Sequence, residues 1–236
     1  MKYMGSKSRI ARHIVPIIQG EIDKTGYGYW EPFCGGCNII DKISAPSKMA
    51  SDIHPYLIAM WKKLQSDTSW IPEEISHEEY SNVRSHPDQY PMWYVGWVGF
   101  AASYNGRFFD GGYAKTIISK SGTERNYYGE AKRNILAQIP KLLGAEFRCC
   151  DYRDISPRNM VIYCDPPYSG TKGYSSGVFD TDEFWDTMRE WSESNVVLIS
   201  EQSAPDDFAC IWQQEITRTQ DNRKRSKAVE RLYRRR

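Results

Sequence analysis

The 236-residue sequence predicts an α/β fold, a doubly wound domain with a mixed sheet that is interrupted by a mainly helical insertion. Three observations carry that reading. Residues 1–64 alternate helix, strand, glycine turn, strand and helix; residues 65–145 are helical in pattern; from residue 147 onward strands and helices alternate again. The expected division is one domain over 1–64 and 146–236, with 65–145 as its insertion. At ~150 residues per domain the length suits one domain carrying an extra part.

Each element has a local reason. Arg9–Gln19 places Ile10, Ile14, Ile17 and Ile18 on a helical stripe that Pro16 interrupts. Tyr27–Phe33 is short and aromatic and runs into Gly35-Gly36, a strand entering a glycine turn. Lys48–Asp52 reads as a second strand, and Ile53–Leu64 as a helix with Leu57, Ile58, Met60, Trp61 and Leu64 at helical spacing. In the insertion, Glu78–Ser85, Met92–Tyr104 and Tyr128–Leu143 are helix candidates, and the spacing of Trp93, Trp97 and Phe100 marks them as core. Asn105–Lys115, rich in Gly, aromatics and cations, is a loop. Asn159–Cys164 and Asn195–Ser200 are buried-type strands flanking a helix over Asp182–Ser192. Cys210–Thr217 and Ala228–Tyr233 pair as a hairpin around a loop from Arg218 to Lys227.

Composition narrows the class. Charged residues are 26% and hydrophobic residues 40%, which fits a soluble globular chain rather than a disordered one. No run of apolar residues reaches the ~18 needed for a transmembrane helix, and Met1–Lys7 lacks the apolar core and cleavage site of a signal peptide. A cytoplasmic protein is expected, with no membrane partner. The six cysteines are then free thiols packed as small hydrophobes. Cys34 and Cys37 have zinc-ligand spacing, but the adjacent pair Cys149-Cys150 completes a site poorly, so no metal is expected. The formal net charge of +1 hides a gradient: from Arg218 onward nine Lys and Arg face only Asp221 and Glu230. Such asymmetry suits an acidic polymer as partner.

The sharpest chemical feature is Asp165-Pro166-Pro167-Tyr168, directly after the apolar strand. Consecutive prolines cannot continue a central strand, because neither donates to the ladder. They stiffen the backbone at the carboxyl end of a strand, where open α/β folds place their ligands. A carboxylate, a carbonyl and an aromatic face in one rigid turn are the parts needed to grip a planar base. The acceptors take both protons of an exocyclic amine while the ring stacks on the base.

At these residues the sequence resembles the Dam-type, D12-class DNA adenine methyltransferases that use S-adenosylmethionine. Lys2-Tyr3-Met4-Gly5-Ser6-Lys7 is similar to the family's amino-terminal cofactor motif, and Glu31-Pro32-Phe33-Cys34-Gly35-Gly36 to its glycine turn. Asp52 matches its ribose-binding acid, Cys150-Asp151-Tyr152 the motif flanking the cofactor's adenine, and Asp165–Tyr168 the catalytic loop. Where the family has a third small residue, usually Gly, this chain has Cys37. The resemblance implies a Rossmann-like methyltransferase domain with a mixed sheet and a mainly helical target-recognition insertion. It implies catalytic roles for Asp165, Pro166, Pro167 and Tyr168, and cofactor contacts from Tyr3, Met4, Gly5, Lys7, Glu31, Phe33, Gly35, Gly36, Asp52, Asp151, Tyr152 and Asp165. Glycines at 35 and 36 would let the backbone approach the cofactor closely, and Asp52 lies at about the ~20-residue interval expected of a ribose acceptor. The implied partner is double-stranded DNA, contacted by Asn105, Arg107, Lys115, Lys120 and Arg125 in the insertion and by Arg223, Lys224, Arg225 and Lys227 in the hairpin loop. The expected state is a monomer or weak dimer in the cytoplasm of a bacterial or phage-infected cell. Rival readings are a methylase of RNA adenine, of cytosine's amine or of protein glutamine, a non-catalytic DNA-binding homologue, and a zinc-stabilised nucleic-acid module.

Overall fold

The computed structural model describes residues 1–118, 122–167, 179–221 and 224–236, and side chains within the terminal strands only up to 216 and from 227. A 3-10 turn at Lys7–Arg9 leads into α1 (Ala11–Thr25), then β1 (Gly28–Glu31), β2 (Lys48–Asp52) and α2 (Pro55–Ser66). The helices α3 (His77–Ser85), α4 (Met92–Ala101) and α5 (Tyr127–Leu142) follow, with the strands β3 (Thr116–Ile118) and β4 (Glu124–Asn126) before α5. The chain closes with β5 (Ala145–Cys149), β6 (Met160–Cys164), α6 (Thr181–Trp191), β7 (Val196–Ser200), β8 (Phe208–Asp221) and β9 (Lys224–Arg235). Strand order in the seven-stranded sheet is β5-β2-β1-β6-β7-β9-β8. β1, β6 and β7 are parallel, whereas β9 pairs antiparallel with both β7 and β8, so the sheet is mixed as expected. No helix among the described residues is long and apolar enough to cross a membrane.

The chain divides into two compact units. The first holds residues 1–12, 34–42 and 50–150. There α2 buries Leu57, Ile58, Met60, Trp61 and Leu64, and α4 buries everything from Val95 to Ala101. A Cβ at Gly96 would stand 2.1 Å from the Tyr56 carbonyl oxygen, so a bare glycine is what lets α4 lie against α2. Trp97 and Phe100 are core, whereas Trp93 is only half-buried, packed on Trp70 at 4.5 Å and under the Lys63 ammonium. Asn126 caps α5 by accepting from the Gly129 N–H at 2.7 Å.

The second unit holds residues 13–33, 43–49 and 151–236. Its core clusters Trp30 and Ile162 with Phe184, Trp185, Met188 and Trp191 of α6, and with Val197, Ile199 and Phe208. Asp180 starts α6 by accepting from the N–H groups of Asp182 and Glu183, both at 3.0 Å. The parallel register Gly28↔Met160 through Trp30↔Ile162 brings the carboxyl ends of β1 and β6 side by side. These neighbours are followed in sequence by strands on opposite sides, the switch point at which open α/β sheets bind ligands.

Three expectations change. The first helix runs through Pro16 to Thr25, because Ile14, Ile18 and Ile22 continue a buried stripe that outweighs one missing N–H. The terminal hairpin is longer than expected. Arg218 pairs with Ser226 and Thr219 with Arg225, so most of the expected cationic loop is strand. β8 forms the sheet's edge, where charged residues discourage pairing with other chains. The antiparallel ribbon β3–β4 within the insertion is an addition that the sequence pattern does not predict.

Two glycine-to-alanine changes should have opposite signs. Gly96→Ala gains ~1 kcal/mol of helix propensity but collides with backbone, which costs about 1–3 kcal/mol or more. Gly20→Ala, in α1 with nothing within 4 Å of the new Cβ, should only gain. Thermal unfolding should show Gly96→Ala lowered by several degrees and Gly20→Ala raised by a few; two shifts of the same sign would contradict the close α2–α4 approach.

Candidate functional site

The glycine turn of the first unit is held almost entirely by hydrogen bonds to its main chain. Cys34 N–H donates to the Ser51 carbonyl at 2.9 Å, which docks the turn on the end of β2. One oxygen of Asp52 accepts from Gly35 N–H at 3.0 Å, and the other from His54 N–H at 3.0 Å. The Trp61 indole donates to the Gly35 carbonyl at 3.2 Å. Gln138, a 3%-exposed side chain on α5, donates from one amide nitrogen to the carbonyls of Gly36 (3.0 Å) and Cys37 (2.7 Å). Cys37 itself has φ +54, the left-handed conformation that glycine adopts most easily. Cys for Gly there therefore carries a conformational cost of about 1–2 kcal/mol.

Tyr3 covers this turn. A Cβ on Gly35 would lie 2.7 Å from the Tyr3 ring and one on Gly36 2.8 Å from Tyr3 Cβ. The glycines are required, but the space they leave is filled by Tyr3 and Asn38 of this chain rather than left for a ligand. Asn38 also donates to Ser6 Oγ at 2.8 Å, fixing the amino-terminal segment over the turn. Met4 and Gly5 are exposed, Gly5 at φ +77, whereas Lys7 is only 5% exposed. A buried lysine needs partners for its charge, and it is no ordinary surface cation. Burial pushes the Asp52 carboxyl up, against the opposing effect of backbone hydrogen bonds from His54, Gly35 and Ile53. A carboxylate has about four lone-pair directions, so Asp52 keeps acceptor capacity beyond the backbone bonds from Gly35, His54 and Ile53.

The second unit holds the other candidates at the carboxyl ends of β1 and β6. Glu31 ends β1 buried, and Phe33 is half-buried after it, 5.1 Å from the Tyr152 ring and 6.1 Å from Phe184. Tyr152 is itself 8% exposed and part of the core, so it acts as a wall behind Phe33. Asp151 is engaged by the Arg153 guanidinium at 2.9 Å and 2.6 Å and by the Arg153 N–H at 3.0 Å, and the guanidinium also reaches Glu183 at 2.7 Å. The Arg153 guanidinium holds the Asp151 carboxyl below its usual range. Asp165 follows β6 half-buried, then buried Pro166 and half-buried Pro167; Tyr168 lies outside the described residues. Burial, with the charges of Asp165 and Glu31 nearby, pushes the Cys164 thiol up, so it is an inert core group.

Of the insertion candidates, Asn105, Arg107 and Lys115 are exposed on one loop, which Tyr104 N–H to Gly112 O (2.8 Å) and Ala114 N–H to Ala102 O (2.7 Å) close. Arg125 is committed: its guanidinium takes both oxygens of Glu130 at 2.7 and 3.0 Å and stacks over Tyr127. Glu130 also holds Lys2 at 2.9 Å, and these cations keep its carboxyl at about 2. Lys227 is 81% exposed and paired with Glu215 at 2.7 Å. Lys120 and Arg223 lie outside the described residues, and of Lys224 and Arg225 only the strand backbone is described. Among the described residues no cluster of three His, Cys, Asp or Glu side chains is placed to hold a metal.

Sequence reasoning missed Gln138 and His54. Gln138 had a signal, because it sits on the buried α5 stripe of Ala131, Ile135 and Leu142 where an apolar residue belongs. His54 caps α2, its Nδ1 accepting from Leu57 N–H at 3.3 Å, and burial brings its pKa down from 6.5 to about 4. As pH falls from 6.5 toward 4, the unfolded chain binds a proton here that the folded chain refuses, so stability present above that window is lost through it. Asn keeps a capping acceptor without titrating. Thermal unfolding of His54→Asn should therefore decline less steeply than the parent across that window; parallel curves would exclude a titrating His54.

Residues 3–91 match the family model of D12 class N6 adenine-specific DNA methyltransferases. Over 202 residues the chain is 23% identical to the type II methyltransferase M.FokI of Planomicrobium okeanokoites, covering 75% of this chain and 30% of that protein. Over 222 residues it is 28% identical to the retron Ec67 DNA adenine methylase of Escherichia coli, covering 85% of this chain and 75% of that one. The chain thus spans under a third of the first relative and three quarters of the second. Among solved structures, a "putative RNA methyltransferase" from Pyrococcus horikoshii aligns with 98% of this chain and 84% of its own at TM-score 0.47 and 10% identity. Through residues 3–91 and these two methylases, the chain is similar to the D12 class of N6 adenine-specific DNA methyltransferases.

Proposed function

We propose that this chain transfers a methyl group from S-adenosylmethionine to the exocyclic 6-amino group of a flipped-out adenine in double-stranded DNA. The observation that carries this reading is the half-buried Asp165, with Pro166 and Pro167, at the end of β6 beside the end of β1. Neither proline has an N–H, so the turn offers a carboxylate and carbonyls with few competing donors. Such a surface suits an amine that must give up two hydrogen bonds. Accepting them localises the nitrogen lone pair, which is otherwise delocalised into the ring, and fixed acceptors do this without reorganising. Tyr168 would hold the base by stacking, and extrusion from the duplex is required because the amine is otherwise out of reach.

For the cofactor, Asp52 would accept from the ribose hydroxyls, Lys7 would face its carboxylate, and Tyr3, Met4, Gly5, Gly35 and Gly36 would form the adjoining wall. The resemblance also assigns cofactor contacts to Glu31, Phe33, Asp151, Tyr152 and Asp165. When bound, S-adenosylmethionine supplies an electrophilic methyl on a sulfonium. Asn105, Arg107 and Lys115 would read base edges, and the exposed ribbon β3–β4 has the two-stranded form that a major groove admits. Lys120, Arg125, Arg223, Lys224, Arg225 and Lys227 would contact phosphates, Arg125 only on leaving Glu130.

Two measurements test this reading. In single-turnover methyl transfer, Asp165→Ala should fall by about a hundredfold or more, as when one fixed transition-state hydrogen bond is removed. Asp165→Asn, which keeps a carbonyl acceptor, should retain more; near-parent turnover in Asp165→Ala would place the chemistry elsewhere. Neutralising Lys224, Arg225 and Lys227 together should flatten the log–log salt dependence of DNA binding by roughly 0.9 for each phosphate no longer neutralised. An unchanged slope would make the hairpin a solvated edge only.

A further inference from the structure

Within the first unit an unbroken set of ring contacts runs from Asp52 to the exposed loop at 105–115. His54, whose N–H is bound by Asp52, meets the Phe108 ring edge-on at 4.5 Å and Phe100 at 5.3 Å. Phe108 also packs on Phe100 at 5.0 Å and stacks with Tyr56 at 5.6 Å. Phe100 in turn lies 5.7 Å from Tyr3, the residue that covers Gly35 and Gly36. The pocket for Phe108 is shaped for a ring, since a Cβ on Gly99 would come within 2.4 Å of it.

The loop is built to hold that ring in one place. Asn105, Gly106, Phe109 and Gly112 all have φ between +57 and +70, and a left-handed aromatic residue persists only where its surroundings over-determine it. Here they do: Phe109 N–H donates to Ser103 Oγ at 3.0 Å, and its carbonyl accepts from the buried Tyr80 hydroxyl at 3.3 Å. A second link comes from Gly106, where a Cβ would stand 2.2 Å from the Lys2 carbonyl oxygen. The residues on either side of Gly106, by contrast, are exposed: Asn105 and Arg107 face outward.

We propose that Phe108 and His54 are positioning residues for Asp52, and that their ring contact makes the 105–115 loop part of the device that sets cofactor affinity. The proposal rests on reading Asp52 as the ribose acceptor of S-adenosylmethionine. Without the Phe108 edge against it, His54 loses the packing that fixes its main chain, and its N–H no longer holds the Asp52 carboxylate in one orientation. Linkage then runs both ways: whatever moves the loop changes cofactor affinity, and bound cofactor favours one loop position.

The test is a double-mutant cycle read by calorimetric titration with S-adenosylmethionine. Phe108→Met conserves apolar volume but removes the ring, Phe108→Tyr keeps the ring, and His54→Asn breaks the same pair from the other side while keeping the helix cap. Phe108→Met and His54→Asn should each weaken binding about fivefold to tenfold, and the double variant no further than the more affected single, because both changes break the same ring pair. Phe108→Tyr should stay within about twofold of the parent. In methyl transfer, the two weakened variants should raise KM for the cofactor while kcat at saturation holds; a loss of folded enzyme would lower kcat instead. Single variants that bind like the parent, or a double variant whose losses multiply, would overturn the proposal while leaving the cofactor reading intact. A parent protein that does not bind S-adenosylmethionine would overturn that reading and the proposal with it.

Discussion

The bonds that Asp52 accepts from the backbone N–H groups of Gly35 and His54 are the constraint on which the first unit is organised. A carboxylate at the end of a strand is costly to bury unless its oxygens are bonded, and here the bonds come from the turn before it and the helix after it. Remove the carboxylate and Gly35 loses its anchor and His54 its orientation. The remaining supports attach to the same few atoms: Trp61 on the Gly35 carbonyl, Gln138 on the Gly36 and Cys37 carbonyls, Tyr3 over both glycines. One acid therefore fixes the backbone that would surround a cofactor, and its own remaining lone pairs are left for that setting.

This arrangement ties the helices of residues 65–145 to the glycine turn within one unit. Gln138 is on α5 and Phe100 on α4, so both helices support the glycine turn or the tyrosine that covers it. A buried glutamine that satisfies both carbonyls contributes directional hold where an apolar side chain would contribute only area, because each unbonded carbonyl would cost about 1–3 kcal/mol. The polar network thus specifies one geometry for the turn, and the helices that carry it inherit that geometry.

Much of this is legible in the sequence. β2 lies at Lys48–Asp52, where its pattern puts it, because its acid end, its Pro55 helix start and the α2 stripe agree with one another. β6 and β7 fall within a residue of their expected bounds, since fully buried parallel strands are apolar throughout. The β8–β9 hairpin reads too short because its outer half is held by backbone pairing, which Arg, Lys, Gln and Thr side chains do not announce. β3–β4 escapes for the same reason, with Glu124, Arg125 and Asn126 all exposed and no buried face to pattern. At the site, residue types are legible and their commitments are not. Arg125 is bound by Glu130 five residues on, and Lys7 is buried although its neighbours Ser8 and Arg9 are exposed; neither fact follows from spacing.

The two groups of site residues are fixed by different physics, and the difference fits what each would have to do. In the first unit, hydrogen bonds from side chains to backbone hold a turn in which left-handed Gly35 and Cys37 would otherwise have alternatives. In the second, Phe33, Tyr152 and Phe184 form an apolar wall at the end of β1, and two prolines remove conformational freedom after β6. A polar network discriminates by direction and suits recognition of hydroxyls and a charged group. An aromatic wall discriminates by shape and suits a flat ring. A proline-stiffened acceptor turn adds the demand that matters for transfer to an amine, that the acceptors be in place before the nucleophile arrives. A flexible loop would have to be ordered at the moment of reaction, at about 1–2 kcal/mol per residue fixed; Pro166 and Pro167 settle much of that ordering during folding, so under the proposed function less binding energy would be spent on ordering the turn.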